Sequence, residues 1–456
     1  MKGSTPRGST EGTARTAWVV HDPWIILIVL AGLLIRLPAL AHVYYPHDIA
    51  FWKSWLTYST SFGIQNVYGL QMPGQTYPPI LLYLLWGLGS IYRGIWPLAE
   101  DTPLLTAFVK IPAVAGDIVA AVLLAAYVAR RPGIGATGRR AAAGILAFHP
   151  ALIWLSSLWG QVDVLHGGLA AGACAAALGG SAGWAGALVA LGILTKPQGL
   201  IVAPAIVVLL AARMGKRGLL RALIFGAVAT FIVTLPFVLA GFASSIVKIY
   251  TGAGSVYSYI TLNAFNLWWC VLAAGRGTMR VLDFRDDVQL LGPITPRAIG
   301  LFLFLIATAW IIRRCWLLPR SAGPIDHSRA WRLLTLQWLA FFLLPTQIHE
   351  RYLVPAVISL APAAILEKRW RWVYAALSLG VLLNLMFVVP GSESVGSIVR
   401  AISGRGVFVA LVFAGIAVLL AMAEIREGKR GCEVGRGDGE GGKRAAGDAR
   451  KSADLP

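Results

Sequence analysis

The sequence predicts an all-α, polytopic transmembrane helical bundle of about 11–13 spans. Three observations carry this. Of 456 residues, 57% are hydrophobic and 13% charged, where soluble domains carry roughly 25% charged residues. Mean hydropathy is +0.69. Apolar runs recur from Trp24 to Met422, and a crossing helix needs roughly 20 apolar residues. These facts exclude a soluble globule, a largely disordered chain and a single anchor on a soluble domain.

Apolar segments fall at 24–41, 77–98, 104–129, 140–158, 164–182, 184–195, 197–212, 219–241, 297–316, 331–345, 352–366, 372–390 and 405–424, with a short one at 263–275. The polar stretch 1–20 is expected to be a cytoplasmic tail and the first apolar run a retained span. The membrane domain covers 21–424, with its first outer loop at 42–76. The Gly- and charge-rich stretch 425–456 reads as a disordered cytoplasmic tail.

Charge sets the orientation. The net charge is +19. In a chain of this hydropathy it reads as basic cytoplasmic loops, not as nucleic-acid binding. Clusters stand at Arg130, Arg131, Arg139 and Arg140; at Arg213, Lys216, Arg217 and Arg221; at Arg313, Arg314, Arg320, Arg329 and Arg332; and at Lys368, Arg369 and Arg371. With all of these inside, twelve crossings result and both termini are cytoplasmic. The stretch 77–98 is then a juxtamembrane or re-entrant helix on the outer side; the alternative is that it crosses and one basic loop breaks the rule. Four scattered cysteines without CxxC spacing argue against disulfides and a cysteine metal site. No metal-ligand spacing occurs, and no cofactor is implied.

Under this topology the chemically capable residues gather on the outer face. They are His47, Asp48, Trp52 and Trp55; Tyr77-Pro78-Pro79; Trp159-Gly160-Gln161 and Asp163; Lys196-Pro197-Gln198; Asn263, Asn266 and Trp268; and Gln347-Ile348-His349-Glu350-Arg351. Plain alternatives stand beside each. Asp48 and Asp163 suit helix caps, the tryptophans suit an interfacial belt, and Asn263 and Asn266 suit caps of 263–275. Glu350 and Arg351 suit a local ion pair. Lys196 interrupts an apolar stretch, so it needs either an anionic partner or a path to the interface. Lys110 and Asp117 share one helix face and read as structural, paired with each other or with a neighbouring helix.

In this order along one chain, these segments resemble the GT-C integral-membrane glycosyltransferases that use polyprenyl-phosphate sugars. The His349-Glu350-Arg351 stretch is similar to the His-Glu-Lys stretch of dolichol-pathway glucosyltransferases. Gly160-Gln161-Val162-Asp163 and Lys196-Pro197-Gln198 resemble stretches of bacterial mannosyltransferases. Many relatives carry an Asp-Asp or Asp-Glu pair in the first loop, where this sequence has His47-Asp48. The first loop is also short, and no large C-terminal soluble domain is seen.

The resemblance implies transfer of one hexose, mannose first and glucose or arabinose next, from a polyprenyl-phosphate donor. The acceptor would be a hydroxyl of a lipid-linked glycan, a glycolipid or a protein, attacked with inversion. Such a reaction needs a carboxylate base and groups that stabilise the departing phosphate. Asp48 is the expected base, with Asp163 second. Arg351, Lys196 and His349 are expected at the phosphate. Tyr77, Gln161, Gln198, Asn263 and Gln347 would hydrogen-bond substrate, and Trp52 and Trp268 would stack on sugar or line the lipid entrance. The competing class is a transporter or flippase for a lipid-linked or anionic substrate.

Overall fold

A computed structural model describes residues 21–70, 77–97, 101–252, 257–275, 284–290, 292–318, 325–402 and 406–428. The described residues are helical almost throughout, with only isolated β-bridges. The tails expected at 1–20 and 425–456 lie outside them, except 425–428, which continue the last helix.

Helix α1 (Pro23–Leu40) starts at Asp22, whose side chain accepts from Trp24 N at 3.0 Å, with Pro23 in the first turn. After α2 (Pro46–Phe62) and a 3₁₀ turn comes α3 (Pro79–Ile95). Next is α4 (Pro103–Ala129), capped by Thr102. Helix α5 (Ala136–Trp159) bends at His149-Pro150 and ends in a π-helical turn over Trp154–Trp159. Beyond it lie α6 (Asp163–Leu178), α7 (Ala182–Thr195) and α8 (Ala203–Leu239).

Seven helices of the described chain are long and apolar enough to cross a membrane. Besides α1, α4 and α5 these are the stretch Pro197–Leu239 and three later ones. Two further expected spans fall on α6 and α7, of 16 and 14 residues. At 1.5 Å per residue these reach about 21–24 Å, against a hydrocarbon core of roughly 30 Å. The expected spans 197–212 and 219–241 remain two helical pieces of α8: Gly215, with φ 63° and ψ −165°, breaks the helix between them.

Close helix contact comes from small residues. A Cβ placed on Gly186 of α7 would lie 1.9 Å from Ala222 O of α8, and one on Gly226 would lie 3.1 Å from Gly186 O. In lipid, where apolar burial between helices gains little, such small-residue contacts let backbones approach. Gly186→Ala is therefore expected to destabilise by about 1–3 kcal/mol, read as a lower thermal midpoint in detergent. An unchanged midpoint would show that the two helices part without cost.

Two buried ionic contacts tie the first helix to the bundle. Arg36 pairs with Asp117 at 2.9 Å, both fully buried, and Ser156 Oγ donates to the same carboxylate at 2.6 Å. Lys110 Nζ donates to the carbonyls of Ala39, His42, Ser157 and Leu158 at 2.7–3.0 Å. Asp117 and Lys110 therefore serve neighbouring segments and do not pair with each other.

Helix α3 lies along one end of the bundle. Tyr77, two residues before its start, packs on Trp52 and Trp55, with ring centroids 5.2 and 5.5 Å away. At its far end Tyr92 OH meets Thr102 Oγ1, the cap of α4, at 2.9 Å. Lys110 is two turns into α4 and already touches the last turns of α1 and α5, so Thr102 sits at that same end. Both ends of α3 thus lie toward the same end of the bundle.

The later elements are α9 (Ala243–Thr251), α10 (Leu267–Gly275), α11 (Pro296–Leu317), α12 (His327–Leu343) and α13 (Val354–Leu366). They are succeeded by α14 (Arg371–Val388), α15 (Glu393–Ile402) and α16 (Val407–Gly428). The end opposite α3 is basic. There Arg314 and Arg329 pair with Glu424 of α16 at 2.8 and 2.6 Å, and Arg369 pairs with Glu427 at 2.9 Å. Arg332 also reaches Glu427 and lies 3.2 Å from Glu367.

Candidate active site

The α3 end encloses a cavity of about 740 Å³. Its walls come from segments far apart in sequence: the start of α2, the turn after α5, the α7–α8 junction, α9, and the loops at 257–263 and 345–352.

The turn after α5 depends on its π segment and on Gly160, which has φ 84°, a region open mainly to glycine. A Cβ there would lie 3.0 Å from both Ile49 Cδ1 and Lys110 Cγ. The wider π turn rotates the chain beyond it relative to an ordinary α-helical exit. Here that rotation aims Trp159 and Gln161 at α2: Trp159 Nε1 donates to Asp48 Oδ2 at 2.8 Å, and Gln161 Nε2 donates to the same oxygen. Among the described residues, no hydrogen bond reaches Asp48 Oδ1. Tyr77 OH lies 3.5 Å from Gln161 Oε1.

A cationic group shares the cavity. Lys196, buried at the C-terminal end of α7, contacts Asp163 Oδ1 at 2.5 Å. Asp163 opens α6 and is fully buried. A buried ammonium without such a partner would be costly. Lys196 also lies 4.9 Å from the Tyr352 ring centroid and 5.6 Å from that of Tyr77. Arg351 pairs with Glu350 at 2.7 Å and approaches Asp163 Oδ2 at 3.8 Å. Its guanidinium sits 5.3 Å from the Trp159 ring. Burial opposes its charge, but Glu350, Asp48 and Asp163 hold its pKa well above the usual guanidinium value. Burial, reinforced by Arg351, keeps His349 below its usual pKa, so its imidazole is neutral at pH 7. It is a hydrogen-bonding group in this site and not a cation.

Three residues here each carry a buried polar atom that makes no hydrogen bond: Arg351 Nε, Trp52 Nε1 and Gln198 Oε1. Buried polar groups are rarely left unmade, and all three residues line the same cavity. They are what a polar ligand would engage.

Most of the residues singled out from sequence reach this space. Asp48, Trp52, Tyr77, Gln161, Lys196, Gln198, Asn263, Gln347, His349 and Arg351 all line the cavity. Asp163 does not; outside the cavity wall, its Oδ1 is taken by Lys196, and its Oδ2 accepts no hydrogen bond and faces Arg351 Nε at 3.8 Å. Trp268 is turned away, its Nε1 donating to Leu344 O at 2.7 Å. The side chain of Gln347 is tied to Asp286 at 2.8 Å. Asn266 is a cap, accepting from Trp269 N at 3.1 Å. Glu350 is half of a local ion pair with Arg351.

Sequence reasoning passed over Tyr45, Lys248 and Tyr352, which also line the cavity. Tyr352 was signalled only by adjacency to Arg351. Lys248 lies on α9, a helix of 9 residues outside the long apolar runs, and had no signal.

The chain is thus a multi-pass helical membrane protein with a charged, aromatic-walled cavity at the end opposite its basic clusters. No family model and no curated protein matches the sequence. Among solved structures it is similar to the crystal structure of ArnT from Cupriavidus metallidurans bound to undecaprenyl phosphate. That likeness has a TM-score of 0.48 and 15% identity, over 88% of this chain and 77% of that one.

Proposed function

We propose that this protein is a membrane glycosyltransferase of the GT-C type. It moves a single hexose, mannose first among candidates, from a polyprenyl-phosphate donor to an acceptor hydroxyl at the outer membrane face. The observation that carries the reading is one cavity lined by both a carboxylate and two buried cations. The carboxylate, Asp48, stands on α2 with one oxygen unengaged. The cations, Lys196 and Arg351, are backed by Asp163, which lies outside the cavity wall. The sequence resemblance at these same segments adds the substrate class.

The chemistry is one displacement with inversion. The acceptor oxygen attacks the anomeric carbon while its proton passes to Asp48 Oδ1. The bond from that carbon to the phosphate oxygen breaks, and its electron pair leaves with the phosphate. The leaving group gains one negative charge, which Arg351 and Lys196 stabilise. Trp159 and Gln161, both bonded to Asp48 Oδ2, fix the rotamer that presents Oδ1. Gln198 and Trp52 supply unmade hydrogen bonds for sugar hydroxyls, and Tyr77 and Asn263 complete the wall. Acceptor candidates are a lipid-linked glycan, a glycolipid or a protein. The histidines and carboxylates of the cavity are His47, Asp48, His349 and Glu350. Among the described residues no group of three or more His, Cys, Asp or Glu side chains is arranged to hold a metal ion.

The test is a donor assay with purified protein in nanodiscs. Radiolabelled polyprenyl-phosphate-mannose and -glucose are incubated with host lipid extract, with and without EDTA. Label moving to a new product is expected, and EDTA leaves it unchanged. In a parallel assay in proteoliposomes, movement of label across the membrane without a new product would favour a transporter instead.

A further inference from the structure

We propose that Asp286 is a positioning residue for the turn that carries His349, Glu350 and Arg351. This deepens the transferase reading and rests on it for its kinetic arm. Asp286 is fully buried and lies outside the cavity wall. Its carboxylate accepts four hydrogen bonds: from Arg297 Nη2 at 2.7 Å, Arg297 Nε at 3.0 Å, Thr346 Oγ1 at 2.6 Å and Gln347 Nε2 at 2.8 Å.

Three segments meet through this one group. Backbone bonds run from Asp286 N to Ser258 O (3.2 Å), Ile260 N to Phe284 O (2.9 Å), Gln347 N to Tyr259 O (3.2 Å) and Leu262 N to Ile348 O (2.9 Å). The first two join 258–260 to 284–286, and the last two join 259–262 to the turn at 347–348. Arg297 closes the ring, donating also to Ser258 Oγ at 3.1 Å.

The reason for such a clamp is backbone strain. Gln347 has φ 63°, a conformation a non-glycine residue holds only when its surroundings impose it. Four residues on stands Arg351, whose approach to Asp163 is set by the course of this turn. Releasing Gln347 from Asp286 lets φ relax and moves the guanidinium from its place beside Lys196. Arg297 supplies charge and a two-pronged grip, from a side chain that is itself 37% exposed.

The experiment compares wild type with Asp286→Asn, Arg297→Gln and the double variant in nanodiscs. Donor KM, kcat, binding of undecaprenyl phosphate alone and amide hydrogen exchange are measured. Asp286→Asn is expected to raise donor KM at least tenfold while kcat at saturation falls less. It is also expected to weaken undecaprenyl phosphate binding by a similar factor and to speed exchange at 347–352. The double variant should be no worse than the worse single one, because both act through one contact. Thr346→Val and Gln347→Leu, each removing one bond, give smaller shifts in the same direction and serve if Asp286→Asn does not fold. Wild-type KM and wild-type exchange at 347–352 in folded variants would overturn the proposal, as would a fall in kcat at unchanged KM. A wild type that neither transfers sugar nor binds undecaprenyl phosphate would overturn the transferase reading instead; the exchange arm would still decide the clamp.

Discussion

Asp48→Asn is expected to abolish sugar transfer while leaving the protein folded and able to bind donor. The substitution removes the proton acceptor at nearly constant shape. It also keeps an oxygen that can accept from Trp159 and Gln161, the two groups that hold the side chain in place. A general base contributes roughly 100- to 10,000-fold, so turnover should fall at least about 100-fold. Because Asp48 is only partly buried, its loss leaves no stranded cation and the thermal midpoint should barely move. Near-normal turnover with labelled donor would remove Asp48 as base. Transfer would then need another carboxylate, and Asp163 is poorly placed for it, being sealed behind Lys196.

The second large effect is expected at Arg351. Arg351→Ala should weaken donor use by about 2–5 kcal/mol, the range for truncating one partner of a buried charge contact. That corresponds to roughly 30-fold to several thousandfold. The alanine variant also leaves Glu350, buried at 2% exposure, without its ion partner, so part of its defect will be folding. Arg351→Lys separates the two. It keeps the charge beside Glu350 but loses the fork that grips two oxygens at once. It should therefore stay folded and still raise donor KM. Unchanged donor kinetics in Arg351→Lys would end the phosphate role of this residue. His349, being neutral, should matter less, and His349→Gln is expected to be milder than either arginine variant when donor KM is compared.

Much of the site was legible because its residues break local rules. Lys196 stands out as an ammonium in an apolar run, and the cost of burying it demanded an anion; Asp163 supplies it at 2.5 Å. Asp48, Gln161, Gln198, Asn263 and Arg351 stood out as polar groups at the ends of apolar segments on one face. What composition could not show was direction. Asp163 and Asp48 look alike in sequence, yet Asp163 is fully buried against Lys196 outside the cavity wall while Asp48 lines the cavity. Trp268 carries the right chemistry but is held elsewhere by Leu344 O, and Gln347 lines the cavity with its amide nitrogen already spent on Asp286. Asp286 itself gave no signal, since one carboxylate in a polar stretch, Arg285-Asp286-Asp287, reads as a solvated loop.

By itself the sequence determined the class of fold: a membrane bundle, with basic residues at one end and polar aromatic segments at the other. It could do so because hydropathy and charge are sums over residues, and lipid enforces them segment by segment. The tertiary structure alone decided that α3 lies along the cavity end and that Arg36 takes Asp117. It alone also decided that segments far apart in the chain converge on one 740 Å³ space. Those outcomes depend on which helix packs beside which, and on single-atom choices such as the π turn before Gly160. Ion pairs between residues 33 to 188 positions apart, Lys196–Asp163 and Arg351–Asp163, leave no periodic trace in the chain. They exist because burial makes each charge find its nearest opposite in space, and only the packed bundle says which that is.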